Sequence, residues 1–239
     1  MRTVHRFRDA ATVALLAGAL SCSASGDEVD DAPMPAGPPE GFVDLLPQGS
    51  LAYWQGRFAN PLVENRILQR RRRRLQWLAD RDMTVHWEFC KGELAYDGRG
   101  KIIRTVKEYR DFELYLDWKL AAGGVGVVYL RSTPAVKMWD TSLKRLGAEV
   151  GSGGLYYNRS GASKPLVKAD RAVGEWNRFR IKIVGDQVTV WLNDQLVVEN
   201  QVLENHWVRG APVFPQGHIE LEGSRCAIQF RNIYVRELP

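Results

Sequence analysis

The sequence predicts an all-β domain, a β-sandwich with one short helical insertion. Apolar and polar residues alternate in short runs from about residue 111 to the C-terminus, and a period of two is typical of strands that bury one face. Tight polar turns such as Gly185-Asp186 and Asn193-Asp194 separate several of these runs. Only residues 61–82 carry a helical pattern. About ten short strands with one helix favour two packed sheets.

Residues 1–25 are typical of a secretory signal peptide. Three arginines precede the apolar run Ala10–Leu20, which small residues follow; the run is too short to span a bilayer as a stable anchor. The stretch Ala19-Leu20-Ser21-Cys22 resembles a bacterial lipobox, although Leu20 stands where a small residue is usual. Lipid attachment at Cys22 and plain cleavage therefore both remain open. We expect a periplasmic, outer-membrane-anchored or extracellular protein.

Residues 26–40 predict a tether, because they are acidic and contain four prolines, a composition that cannot bury a core. Residues 41–239 are enough for one large β domain. Within it, Gly41–Trp54 forms a short opening segment before the helical insertion.

The helical insertion, from about Pro61 to Asp82, contains five consecutive arginines, Arg70–Arg74. Its apolar positions at helical spacing are Leu62, Ile67, Leu68, Leu75 and Leu78. Consecutive residues point all round a helix, so we expect most of the arginines to be solvated. A nucleic-acid site would need a basic face with aromatic residues or a groove-reading motif, which the chain does not show. The pattern argues against nucleic acid and favours an acidic surface or anionic lipid headgroups.

The strands follow in order. Residues 93–97 and 102–105 predict a hairpin. Asp111–Leu120 is the clearest strand, with an apolar face that starts at Phe112 and a polar face that starts at Asp111. Two strands at 125–131 and 135–140 precede a glycine-rich loop at 147–161. Runs at 179–184, 188–192 and 196–198 predict a meander, and runs at 218–222 and 227–236 complete the domain.

The chain has three cysteines. If Cys22 is removed or lipidated, Cys90 and Cys226 remain as a pair in an oxidising compartment. A disulfide between these two and a pair of buried thiols are both compatible with the sequence. Nothing in the cysteine spacing resembles a structural zinc site.

Seven stretches resemble, in the same order, one family of bacterial exported domains. They are Tyr109–Trp118, Val128–Arg131, Val136–Asp140, Gly147–Leu155, Val173–Asn177, Val190–Asn193 and Phe230–Val235. The family, once catalogued as domain of unknown function 1080, comprises the 3-keto-disaccharide hydrolases, also described as 3-keto-glucoside lyases and hydratases. The resemblance covers the chain from Gly41 onwards, and it implies a concanavalin-A-like jelly roll with a small carbohydrate substrate.

The activity that this resemblance implies is cleavage of 3-keto-glycosides by elimination and hydration. A ketone at C3 makes the C2 hydrogen acidic, so a general base can remove it and expel the C1 substituent. Such a site needs a base, a cation or donor for the enolate oxygen, and an aromatic platform for the sugar. A divalent metal is one candidate electrophile, and no other cofactor is expected.

Alternation along two predicted strands supplies most of the candidate site. On one face, one strand carries polar residues at 218, 220 and 222, and the other carries a lysine at 137 and a tryptophan at 139. The catalytic candidates are Glu149, Glu222, Lys137 and Arg131. The substrate-binding candidates are Trp139, Asp140, Tyr156, His218 and Glu220. We expect Glu149 or Glu222 to be the base and Lys137 and Arg131 to be donors, with Trp139 and Tyr156 stacking on the sugar.

Structural roles are the alternative for several of these residues. Arg131 and Asp140 would then form an ion pair at strand ends, Trp139 would close the edge of the core, and Glu220 would be solvated.

Two departures from the family keep a second function open. Ala135 and Lys137 stand where related chains usually have glutamines, and residues 223–225, Gly-Ser-Arg, stand where they usually have a histidine pair and a glycine. Lys137 would also repel a cation beside it. The chain is therefore either an enzyme acting on 3-keto-glycosides or a non-catalytic carbohydrate-binding module.

Overall fold

The structure is a computed structural model, and it describes residues 37–159, 161, 163–224 and 226–239. The predicted signal peptide, the lipobox cysteine Cys22 and most of the tether lie outside the described residues. Within the described part, the jelly-roll sandwich predicted from the sequence is confirmed, with two antiparallel sheets and few helices.

The first sheet has eight strands, in the order β12-β11-β10-β6-β14-β4-β3, with β1 pairing β14. Its strands are β1 (Val43–Asp44), β3 (Trp87–Cys90), β4 (Glu93–Tyr96), β6 (Phe112–Leu120), β10 (Asn177–Val184), β11 (Gln187–Leu192), β12 (Gln195–Val202) and β14 (Ile228–Glu237).

The second sheet has six strands, in the order β2-β5-β13-β7-β8-β9. They are β2 (Trp54–Gly56), β5 (Ile103–Thr105), β7 (Val125–Tyr129), β8 (Ala135–Trp139), β9 (Leu155–Tyr156) and β13 (Glu220–Ser224). The inner faces of both sheets meet in one hydrophobic core, to which β6 and β10 contribute alternate residues such as Leu114, Leu116 and Ile181. The apolar residues that alternate along the strands therefore form the core, as the sequence predicted.

The polar face of β6 differs from the expectation of a wet surface. Glu113 and Asp117 point away from the core, yet both are buried. Arg180 and Arg236 donate to the carboxylate of Glu113. Arg178 donates to Asp117 in the same way. Buried carboxylates are retained where cations and hydrogen bonds compensate them, so cross-strand arginines cover this face.

The helical insertion is confirmed, but its buried side is not the predicted one. It contains α1 (Pro61–Glu64) and α2 (Gln69–His86). Ala79 and Met83 are the buried residues of α2, whereas the predicted apolar positions Leu68 and Leu78 are 80% and 46% exposed. None of the helices in the described part of the chain is both long and apolar enough to cross a membrane.

Cys90 and Cys226 are not joined by a disulfide. Both are partly buried thiols, and the sulfur of Cys226 lies 3.7 Å from the carbonyl oxygen of Ala122. Of the two alternatives left open by the sequence, the pair of thiols is the one found.

Candidate active site

The outer face of the six-stranded sheet brings chemically reactive side chains into register. Backbone pairing aligns Glu222 of β13, Val127 of β7 and Lys137 of β8 in one row across the sheet. Adjacent strands lie about 4.8 Å apart, so the backbones of Glu222 and Lys137 are separated by roughly 10 Å. Val127 lies between them and is only 6% exposed. A carboxylate and an ammonium group therefore flank an apolar floor that neighbouring side chains largely cover.

The neighbouring row extends this floor. Glu220, Tyr129, Ala135 and Tyr156 are aligned across β13, β7, β8 and β9. The buried residues Val127, Tyr129 and Ala135 form a small apolar cluster of their own. Ala135 is 0% exposed, and Ile102 and Tyr157 pack against this cluster, so side chains from outside the sheet cover the row between the two tyrosines.

Lys137 is the lysine of this face. Its Nζ atom lies 4.0 Å from the ring centroids of both Trp139 and Tyr156. Burial lowers the pKa of the Lys137 ammonium, and no carboxylate of the described residues contributes a compensating charge. Aromatic faces attract such a cation without neutralising it. The ammonium is thus held in place while its charge remains available to a ligand.

Trp139 is fixed by its backbone surroundings. Its indole N–H donates to the carbonyl oxygen of Gly151 at 2.8 Å, and its backbone N–H donates to the hydroxyl of Ser152 at 3.1 Å. Both partners belong to the glycine-rich loop, which begins with the short 3-10 turn Ala148–Val150. The loop therefore orients the ring that carries Lys137.

Glu222 is paired with a tyrosine that sequence reasoning missed. The hydroxyl of Tyr129 donates to Oε2 of Glu222 at 2.7 Å. Burial, followed by the charge of Glu222, raises the pKa of the Tyr129 hydroxyl well above its usual range. The proton therefore stays on the tyrosine, and the carboxylate accepts a charge-assisted hydrogen bond.

Aromatic residues from two loops border the same face. The ring of Tyr157 lies 4.0 Å from Tyr156 and stacks at 3.7 Å on His206. Trp207 lies next to His206 and donates its indole N–H to the backbone of Ser132. The sequence analysis did not predict Tyr157, His206 or Trp207 as part of the site. Tyr157 and His206 are about 50 residues apart, so no local sequence pattern indicates that their rings stack.

An open groove reaches Glu222 from the helical insertion. Its volume is about 520 Å³, within the usual range for small-ligand sites. The lining includes Arg57, Asn60, Lys101, Trp207 and Glu222. Sugar hydroxyls would find charged and polar partners here beside an indole ring.

Glu220 and His218 share this side of the sheet but are held by structural contacts. Arg57 donates to Glu220 at 2.7 Å, and Glu220 is 0% exposed, so the alternative of a solvated Glu220 is wrong. His218 lies 3.5 Å from Glu108. Burial, and then the charge of Arg104, lowers the pKa of His218. Glu220 and His218 are therefore held by polar contacts at the end of the face.

Arg131 and Asp140 do not join the face, which corrects the expectation for both. Arg131 is buried in the turn after β7 and donates to the carbonyl oxygens of Pro215 and Gly185, where it lines a different cavity of about 640 Å³. The strand predicted at residues 125–131 ends at Tyr129, two residues before Arg131.

Asp140 organises the turn after β8. Its carboxylate accepts from the backbone N–H groups of Gly123 and Ser142, each at 2.8 Å. The alternative of an Arg131–Asp140 ion pair is not found either, because Arg131 faces Asp111 at 4.0 Å. Glu149 is exposed on the 3-10 turn Ala148–Val150, and no described contact joins it to Glu222 or Lys137.

Over the described residues, no group of three histidine, cysteine or carboxylate side chains is arranged to hold an ion.

Two solved structures share the fold. Both are crystal structures from Parabacteroides distasonis that are named as candidate glycosyl hydrolases. The 1.70 Å structure has a TM-score of 0.57 with 14% identity, and the similarity covers 84% of this chain and 95% of that one. The 2.13 Å structure has a TM-score of 0.57 with 20% identity, covering 84% and 85%. No curated protein sequence matches the chain.

The sequence itself identifies the family. The family model described as 3-keto-alpha-glucoside-1,2-lyase-like domain matches residues 41–236. This range includes both sheets, the helical insertion and every residue of the outer face. The chain therefore belongs to the family of 3-keto-alpha-glucoside-1,2-lyase-like domains.

Proposed function

We propose that this domain of a carbohydrate-active family cleaves the glycosidic bond of 3-keto-glycosides by elimination and hydration, with net hydrolysis. The observation that carries the proposal is the row Glu222–Val127–Lys137. The pairing register sets a carboxylate and an ammonium group, which has no carboxylate partner among the described residues, on one face of the sheet two strands apart. Membership of the family of 3-keto-alpha-glucoside-1,2-lyase-like domains supports a 3-keto-glycoside as the substrate.

In the first half of the reaction, the carboxylate of Glu222 accepts the proton from C2 of the 3-keto sugar. The electron pair of the C2–H bond forms an enolate, whose oxygen at C3 is stabilised by the ammonium of Lys137. Collapse of the enolate forms the C1–C2 double bond and breaks the bond from C1 to the leaving oxygen. The leaving alkoxide takes a proton from water.

In the second half, the hydroxide left by that proton transfer adds to C1, and the proton returns from Glu222 to C2. The sum of both halves is one water consumed and one glycosidic bond broken. Tyr129 orients the carboxylate through its hydrogen bond, while the exposed ring of Tyr156 offers a stacking surface beside Lys137. Since Glu149 has no described contact with this row, Glu222 is the preferred base.

The test is release of reducing sugar from 3-keto-trehalose and from a 3-keto-glucoside. The purified protein should turn over at least one of them, and Glu222→Gln and Lys137→Met should each lower kcat by about 100-fold or more. Glu149→Gln is the matched control, because it makes the same change at an exposed carboxylate.

The second candidate is a carbohydrate-binding module, which the contacts of Glu220 with Arg57 and of His218 with Glu108 favour because fewer groups are left for proton transfer. If the protein binds the same sugars saturably but does not turn them over, with or without added divalent metal, it is a carbohydrate-binding module and the enzyme proposal is wrong.

We also propose that the protein is exported, on the pattern of residues 1–25 and the acidic tether that follows. Cell fractionation checks the location. Metabolic labelling with a fatty acid, compared between the wild type and Cys22→Ser, separates a lipid anchor at Cys22 from plain cleavage.

A further inference from the structure

The solvent side of α2 is a large surface that the sugar site does not use. Four of its apolar side chains are exposed: Leu68 by 80%, Trp77 by 56%, Leu78 by 46% and Val85 by 67%. The exposed arginines among them are Arg70, Arg71, Arg73, Arg74 and Arg81. We refer to these nine residues as the α2 outer face.

The opposite side of α2 fixes the helix to the sandwich. Ala79 packs directly on Gly56 of β2. Asp80 accepts from the backbone N–H of Gly56 at 3.0 Å, and Asp82 accepts from that of Lys101 at 2.8 Å. Both acidic residues of the helix are therefore occupied by backbone groups on the inner side. The arginines outside are left without intrahelical carboxylates.

Helical spacing mixes charge and apolar surface on the outer face. Arg70, Arg74, Trp77 and Arg81 follow one another at intervals of four, three and four residues, so they form one stripe. Leu78 and Val85, seven residues apart, lie on the adjoining stripe. The guanidinium of Arg81 lies 5.3 Å from the ring centroid of Trp77. On this face, exposed indole and aliphatic side chains are therefore interspersed with the arginine side chains.

This combination matches the interface of an anionic bilayer. Cationic amphipathic helices lie in the interface plane, with arginine near lipid phosphates and tryptophan or leucine at the acyl boundary. A nucleic-acid duplex would satisfy the guanidinium groups but offers no apolar layer for Leu68, Leu78 and Val85. We propose that the α2 outer face docks the domain on membranes that contain anionic phospholipids.

The first test measures partition of the full chain to vesicles of phosphatidylcholine with and without phosphatidylglycerol. Each arginine near an anionic surface strengthens binding by roughly fivefold, so the triple variant Arg70→Glu, Arg73→Glu and Arg74→Glu should partition at least about 100-fold more weakly. The matched control is Lys164→Glu, Lys168→Glu and Lys182→Glu, which makes the same charge change at exposed positions elsewhere. The apolar residues 10–20 are present in every variant, so the comparison isolates α2.

The second test locates the contact. Brominated lipid should quench a component of the tryptophan fluorescence that is absent from Trp77→Phe. Equal partition of the two triple variants, or quenching that Trp77→Phe does not change, would overturn the proposal. Arginine-dependent binding of duplex DNA with no binding to vesicles would overturn it as well. Sugar cleavage in solution should be the same in all these variants, which keeps this proposal separate from the enzymatic one.

Discussion

The hydroxyl of Tyr129 donates a 2.7 Å hydrogen bond to the carboxylate of Glu222. Glu222 lies on β13 and Tyr129 on the adjacent strand β7, two residues along from Val127. Because burial and the neighbouring negative charge raise the pKa of Tyr129, the pair is a neutral donor and a charged acceptor. Tyr129 therefore orients the carboxylate of Glu222, and its own hydroxyl stays protonated.

Tyr129→Phe should reduce kcat/KM for 3-keto-glycosides by about 10- to 100-fold. The reason is the loss of a hydrogen bond to a charged group, worth roughly 1.5–3 kcal/mol, where 1.4 kcal/mol is about tenfold in rate. Steady-state kinetics measure the effect, and Tyr53→Phe, which removes an exposed hydroxyl, is the control. A variant with unchanged kinetics would show that Tyr129 does not support Glu222 in the reaction.

The activity should fall on the alkaline side through titration of Lys137. Burial lowers the pKa of this ammonium below its ordinary value of 10.5, so the positive charge is lost at a lower pH than in a free lysine. In Lys137→Arg the guanidinium keeps its charge. The alkaline limb of kcat should therefore move to higher pH in Lys137→Arg, as pH–rate profiles of the two proteins would show.

The Lys137→Arg variant can also contradict the proposed role of Lys137. If the alkaline limb stays where it is in Lys137→Arg while kcat remains measurable, another group causes the limb and Lys137 does not act as the charged donor. Lys137→Met, which has a similar apolar stem, separates loss of charge from loss of packing against Trp139 and Tyr156.

Sequence alternation was sufficient to predict the face that carries Glu222 and Lys137. Both residues lie inside strands, where successive side chains must point to opposite sides of the sheet. Tyr129 obeys the same rule and could have been found, since it is two residues from Val127 on β7. Arg131 could not be placed, because positive φ angles at Arg131 and Ser132 turn the chain away from the strand.

The remaining errors come from long-range packing. Nothing local shows that Tyr157 will stack on His206, or that Leu78 will face solvent while Ala79 packs on Gly56. The burial of Glu113 was hidden for the same reason. Glu113 lies on the polar face of β6, which the alternation predicts to be exposed to solvent. Arg180 and Arg236 on the neighbouring strands cover it.

Glu113→Gln should destabilise the fold at neutral pH and weaken its acid dependence. Burial alone would raise the pKa of Glu113, but hydrogen bonds from Arg180 and Arg236 and their charges outweigh it and hold the pKa below the ordinary 4.5. A lowered folded-state pKa contributes stability that is present above pH 4.5 and lost as the pH falls through the lowered value.

We expect the free energy of unfolding of Glu113→Gln to be roughly 2 kcal/mol lower at neutral pH, with a smaller difference from the wild type in acid. Urea titrations at several pH values measure both quantities. Glu88→Gln, at an exposed position of β3, is the control. A difference from the wild type that does not shrink in acid would mean that packing, rather than charge, explains the effect.

Arg57 and Glu220 should prove energetically coupled. Glu220 is fully buried, and one of its oxygens accepts from Arg57 at 2.7 Å. Arg57→Met would leave a buried carboxylate without its cation and should lower the free energy of unfolding by about 3 kcal/mol.

The double variant Arg57→Met with Glu220→Gln removes the buried charge together with its partner, so it should recover much of that loss. A double-mutant cycle by urea unfolding gives the coupling, which is expected to exceed about 1 kcal/mol. Purely additive effects would refute the pairing. If the coupling is strong, the loss of stability in each single variant comes from the buried charge that is left without its partner. Glu220 would then be a structural anion that holds Arg57 in the groove beside Glu222.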